Sequence, residues 1–193
     1  SVALFGEGGG VTDARLDDRL LFLEETERAF FVGMRAYLKG ELGVRAPITG
    51  TIAFGALGAK VQAEMDFVDQ HSYWQHPQFP GRPWDSRNWI VPNRAMSAAR
   101  DGGTLPGLAS TRILGKPYTV TEYLHPAPLD SQAETVPMIA TFGAWQDWDA
   151  IYGYTFLHRY DDRSLSGDCV TGYFDLANEV SKMIQMPTAS LLF

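Results

Sequence analysis

Lys116-Pro-Tyr-Thr-Val-Thr-Glu-Tyr-Leu-His-Pro-Ala-Pro128 is the stretch on which the fold turns. Its β-branched and aromatic residues favour a strand, and the two-residue period puts Tyr118, Val120 and Glu122 on one face, so a face that starts apolar ends in an acid. Pro126 and Pro128 forbid further pairing, and Asp130-Ser-Gln-Ala-Glu134 opens a helix with Ser131 and Glu134 at capping-box spacing. Glu122 is therefore expected at the C-terminal end of a strand. A lone glutamate there is equally at home as a solvated terminal residue, so its companions decide.

Those companions lie fifty residues earlier, in Met65-Asp-Phe-Val-Asp-Gln-His-Ser-Tyr-Trp74. Alternation puts Phe67, Asp69, His71 and Tyr73 on one face, a second strand that begins apolar and finishes with hydrogen-bonding groups. His71-Ser-Tyr73 at one strand end and Thr121-Glu122-Tyr123 at the next resemble strands six and seven of the retaining (β/α)8-barrel glycoside hydrolases of clan A, the cellulase-like family among them. The chain is also similar to large bacterial proteins of that clan with a Thr-Glu-Tyr strand followed by a Gln-Asp-Trp-Asp turn, here Gln146 to Asp149. The resemblance covers residues 44 to 193 and implies an α/β fold of TIM-barrel type. Pro47 to Phe54 would be strand five, Met65 to Tyr73 strand six, Tyr118 to Glu122 strand seven and Asp149 to Phe156 strand eight.

What the resemblance implies for the site follows residue by residue. Glu122 takes the position of the nucleophile, Tyr73 would hydrogen-bond it, and His71 would contact a sugar hydroxyl; without that role His71 is a satisfied core histidine. Retention requires a second carboxyl about 5 Å away as acid and base. In the clan it follows an asparagine on strand four. No Asn-Glu pair precedes residue 178, and Asn178-Glu179 comes after strand eight. Glu7, after the apolar run Val2 to Phe5, stands at a suitable distance before strand five, but Gly6 replaces the asparagine. Glu7 is thus either the acid/base or a turn carboxylate, or the acid lies outside the chain. Trp74, Trp84, Trp89 and Tyr154 are candidate platforms for sugar rings, with core packing as the alternative for each, and Trp145 and Trp148 read as core.

Composition narrows the classes. Twenty-three acids against 16 bases give a net charge of −7, and no Lys/Arg run is long enough to track a phosphate backbone, so nucleic acid is not an expected partner. A single cysteine, Cys169, excludes an internal disulfide and a multi-cysteine zinc site. Ser131 has no histidine in a recognised order, Gly6 to Gly10 lacks a phosphate-loop lysine, and His71 with His76 lacks a third ligand, so neither metal nor cofactor is expected. No apolar run reaches the roughly 20 residues that span a bilayer. The resemblance implies a secreted or periplasmic location.

The 193 residues read as one domain, 1–193, yet a full barrel takes about 250 residues. The expectation is strands five to eight of a barrel behind a long N-terminal helix. That helix runs from Thr12, its N-cap, to Leu42, with Leu16, Leu20, Leu23, Phe30, Met34 and Leu38 on one stripe and Gly43 beyond it. The loop Gln75 to Trp89 is rich in proline and aromatics, Val91 to Ala99 suits a short helix, and Asp130 to Trp148 a longer one that Pro137 kinks or starts. Residues 161 to 169 are turn-like, and Asn178 to Leu192 suits a helix interrupted at Pro187. Two functions fit: cleavage of a β-linked oligo- or polysaccharide by double displacement, or carbohydrate binding by a non-catalytic or incomplete module of the same descent. Besides the carbohydrate, the expected partner is a second copy of the chain or a polypeptide carrying the first half of the barrel, because half a barrel leaves strand edges open.

Overall fold

The computed structural model describes residues 12–52, 55–166 and 169–193. Expectations for Val2 to Phe5 and for Glu7 lie outside the described residues. The chain divides between Phe67 and Val68 into two compact units, where the sequence reads as one domain.

The first unit is built on helix α1 (Asp13–Gly40) and the shorter α2 (Gly55–Gln62). Thr12 caps α1 as expected, its hydroxyl accepting from the Arg15 N–H at 3.4 Å, and Asp13 and Lys39 complement the helix dipole at the two ends. Val44 N–H returns to Leu38 O at 2.9 Å, and Gly43 takes the φ of +65° which that closure needs. Helix α1 is continuous over its 28 residues. Its apolar stripe is not buried: Phe30 is 59% exposed, and no residue of α1 is buried. What ties α1 to the rest of its unit is charge, through Arg28 to Glu64, Lys60 to Glu24 and Arg35 and Lys39 to Asp66. Residues 47 to 52, read as the bulk of strand five, form no strand. They are held by side chains instead of a ladder: Ile48 N–H donates to the Asp66 carboxylate at 2.9 Å and the Thr49 hydroxyl to Phe67 O at 2.9 Å.

The second unit is α/β. Three parallel strands, β1 (Val68–Tyr73), β2 (Tyr118–Leu124) and β3 (Ala150–Gly153), stand in chain order with β2 central. Parallel neighbours demand crossovers. The first contains helix α3 (Leu105–Ala109), and the second runs through a 3₁₀ turn at residues 132 to 134 into α4 (Thr135–Trp145). Helices α5 (Asp162–Ser166), α6 (Val180–Met183) and α7 (Met186–Leu192) follow β3. Val68, Tyr118, Val120, Tyr123, Ile139 and Trp148 share the main core, a sheet face packed against the crossover residues.

Several expectations are corrected here. Val91 to Ala99 forms no helix, because its backbone is committed elsewhere: Ile90 pairs with Gln78, and Met96 and Ser97 donate their N–H groups to Glu134. Glu134 therefore pins this loop rather than boxing a helix cap, although Ser131 does donate to it at 3.1 Å. Helix α4 begins at Thr135, leaving Pro137 in the first turn where its missing N–H is harmless. The strand read from Asp149 to Phe156 is shorter, β3 ending at Gly153, and the one read from Tyr118 to Glu122 runs two residues further, to Leu124. Trp148 is core, but Trp145 is 75% exposed on the outer end of α4.

Candidate functional site

Glu122 falls among the last three residues of the central strand. The pairing of β1 with β2 runs Gln70 to Val120 and then His71 to Glu122, so Thr121 is an extra residue in β2. This bulge overturns the expected facing. Tyr123, not Glu122, joins Tyr118 and Val120 in the main core, while Glu122 is turned to the opposite side with Leu124, which packs on Phe174 and Leu176.

Across from Glu122, β1 presents Asp69, His71 and Tyr73 on one face, as their spacing predicts. The Tyr73 hydroxyl donates to Glu122 Oε2, and His71 Nδ1 stands 3.2 Å from the same oxygen. Burial together with the adjacent carboxylate pushes the Tyr73 hydroxyl pKa far up, so it remains a donor at any physiological pH. His71 Nε2 lies 2.8 Å from the Thr121 hydroxyl and 3.7 Å from Asp69. Asp69 is buried and accepts from the Thr121 N–H at 3.1 Å, the Thr121 hydroxyl at 2.5 Å and the Thr119 hydroxyl. It fixes both the bulged residue and, through it, the imidazole. The sequence placed Asp69 on this face but assigned it no role, although an acid two residues before a histidine on one strand face was the available signal.

The aromatic candidates separate. Trp74 is core, 8% exposed, with its indole N–H donated to Arg94 O at 2.7 Å; the residue after Tyr73 alternates back into the main cluster, so it is no platform. Trp84, at 64% exposure, packs edge-on to His76, which is itself edge-on to Tyr73 at 6.2 Å. Trp89 is half-buried, its indole N–H held by Ala127 O at 2.7 Å, with its ring 5.7 Å from Tyr173. Tyr173 adjoins Phe174, whose ring lies 4.3 Å from Tyr73. Tyr154 leaves β3 half-exposed and edge-on to His158 at 5.5 Å. An aromatic network running from Trp84 and Trp89 through His76, Tyr173 and Phe174 thus reaches Tyr73, the partner of Glu122.

His158 was not singled out in the sequence. Its Nδ1 is 2.7 Å from the buried Asp175 carboxylate, which also accepts the His158 N–H at 3.1 Å and the Thr171 hydroxyl at 3.1 Å. Glu122 is bonded to a phenol and an imidazole, and neither is a second carboxyl. Among the described residues no group of three or more His, Cys, Asp or Glu is arranged to hold a metal ion, and no helix is long and apolar enough to cross a membrane. No protein-family model, curated protein or solved structure is similar to this chain at a significant level.

Proposed function

We propose that the chain is a retaining glycoside hydrolase of clan A type acting on β-linked oligo- or polysaccharide, its parallel sheet being the arc of strands six to eight of a (β/α)8 barrel. The observation that carries this reading is the carboxylate of Glu122 near the C-terminal end of a central parallel strand, bonded by Tyr73 and faced by His71 from the next strand. Barrel enzymes place their chemistry at that end of their strands.

In this reading Glu122 attacks the anomeric carbon and the glycosidic oxygen departs with a proton from an acid. Water, deprotonated by the conjugate base, then releases the sugar from Glu122. Tyr73 holds the attacking oxygen in place and His71, fixed through Thr121 and Asp69, contacts a neighbouring sugar hydroxyl. Trp84, Trp89 and Tyr154 supply apolar faces for the rings. A secreted or periplasmic location suits such a substrate.

Glu122→Gln tests the role, since it removes the nucleophile's charge at nearly constant shape. Hydrolysis of aryl β-glycosides should fall by at least about a thousandfold, and a fall of less than about tenfold rules out a covalent nucleophile. A second reading, a carbohydrate-binding module without turnover, is favoured by one observation: Gly6 stands where the clan's asparagine would precede the acid. Glu7, the sequence's candidate, lies outside the described residues. Calorimetry against a glycan panel beside hydrolysis assays separates the two, because binding without turnover supports the module.

A further inference from the structure

A cleft of about 430 Å³ adjoins this aromatic network, with Ser86, Arg87 and Trp89 on one side and residues 159 to 164, 170 and 171 on the other. Three arginines line it, Arg87, Arg159 and Arg163, against one acid, Asp161. Among the described lining residues the bases thus outnumber the acids by two, in a chain whose net charge is −7. Asp161 is occupied within its own turn: it accepts the Ser164 N–H at 2.8 Å, and Ser164 together with the charges of Arg159 and Arg163 holds its carboxyl below the usual range. The arginines have other tasks. Arg159 Nη2 donates to the Ser86 hydroxyl at 3.1 Å, tying the two walls together, and Arg163 Nε is 3.4 Å from Cys169 Sγ. Among the described residues none of the three forms an ion pair with a carboxylate within 4 Å, so guanidinium donors remain for a ligand.

Trp89 also lines the cleft, and its indole N–H is already satisfied by Ala127 O, so its ring has only apolar surface to offer. Tyr173 joins Trp89 to Phe174 and hence to Tyr73 beside Glu122. An apolar plane and guanidinium groups with donors to spare lining one cleft match a sugar ring that bears an anionic substituent, because planar donors recognise a carboxylate or sulfate in two-point fashion. We propose that this cleft is a subsite for an acidic sugar unit, a uronate or a sulfate ester, within the glycan that reaches Glu122. This inference rests on reading the Glu122 face as a saccharide site.

The test is calorimetric titration of the whole chain, and of its Glu122→Gln variant, with a β-linked tetramannuronate, a sulfated tetrasaccharide and the neutral cellotetraose. At least one acidic probe should bind both proteins alike and about tenfold or more tighter than cellotetraose, with affinity falling as salt rises. Which acidic probe binds identifies the substituent. Arg87→Gln changes an exposed side chain and should weaken that binding about tenfold while leaving cellotetraose unaffected; Arg159→Gln, which also unties the walls, should weaken acidic binding at least as much. Equal binding of neutral and acidic probes, acidic binding indifferent to both arginine changes, or no binding of either acidic probe overturns the subsite. If acidic binding is present and arginine-dependent but Glu122→Gln still hydrolyses aryl glycosides, the subsite stands and the nucleophile assignment falls.

Discussion

Tyr73 on one strand donates its hydroxyl proton to Glu122 on the next, two residues that lie 49 apart in sequence and are joined by the register of a parallel pair. The ring of Tyr73 is held independently of that bond, tilted against Phe174 at a centroid distance of 4.3 Å. Tyr73→Phe therefore removes the donor and keeps the packing. A hydrogen bond to a charged group is worth about 1.5–3 kcal/mol, so hydrolysis by the variant should drop about ten- to a hundredfold in kcat/KM with the melting temperature nearly unchanged. Steady-state kinetics beside a thermal scan checks this, and unaltered kinetics would show that Glu122 needs no such partner.

Asp69 is a different case, since its bonds are structural. Its carboxylate accepts from Thr119 and twice from Thr121 while almost wholly buried. Asp69→Asn converts one acceptor oxygen into a donor facing donors, leaving buried groups unpaired at about 1–3 kcal/mol each. Urea denaturation should show a loss of about 2–4 kcal/mol at constant m-value. The bulge at Thr121 should loosen with it. If the loss stays under about 0.5 kcal/mol, Asp69 does not organise this strand pair.

Much of this architecture was legible because strand periodicity and proline punctuation are local signals. β1 and β2 came from alternation around Tyr73 and from the prolines after Leu124, and Thr12 was readable as a cap because its neighbours are apolar at helical spacing. Facing on β2 was not legible. Tyr118, Val120 and Glu122 share parity, and only the pairing with β1 reveals that Thr121 is extra. Nor was the Asp175 to His158 contact, which joins residues from a turn after β3 and a later loop with no sequence spacing to announce it. Trp74 and Trp89 illustrate the same limit: both are tryptophans at polar borders, and only the direction of the backbone decides that one is core and the other a wall.

His125 lies fully buried after β2, where burial lowers its pKa from 6.5 to about 4. The folded state thus keeps it neutral while the unfolded chain takes up a proton below pH 6.5. Its contribution to stability is complete above that pH and is lost as the pH falls toward 4, by about 2–3 kcal/mol over the window. Denaturation midpoints at pH 7, 5.5 and 4.5 should decline accordingly. The slope should be shallower in His125→Asn, and an identical slope in the variant would assign the acid sensitivity to other groups.

Lys182 carries the last prediction. Its side chain is fully buried on α6, its ammonium has no hydrogen-bond partner among the described residues, and burial lowers its pKa from 10.5 to about 8 despite the opposing charges of Glu179 and Asp175. A lysine with a depressed pKa stabilises the fold only where it is neutral. Below pH 8 it is charged in both states, and the folded state bears the whole desolvation penalty; above pH 10.5 it is neutral in both, and the penalty vanishes. Lys182→Met keeps the length of the side chain and removes the charge. At pH 7 the variant should be more stable by about 1–3 kcal/mol, with the advantage shrinking steadily between pH 8 and 10.5. Thermal scans of the two proteins at pH 7 and pH 10 decide it: a variant less stable at pH 7 means that the buried ammonium is paired in solution by a group or water that offsets its burial.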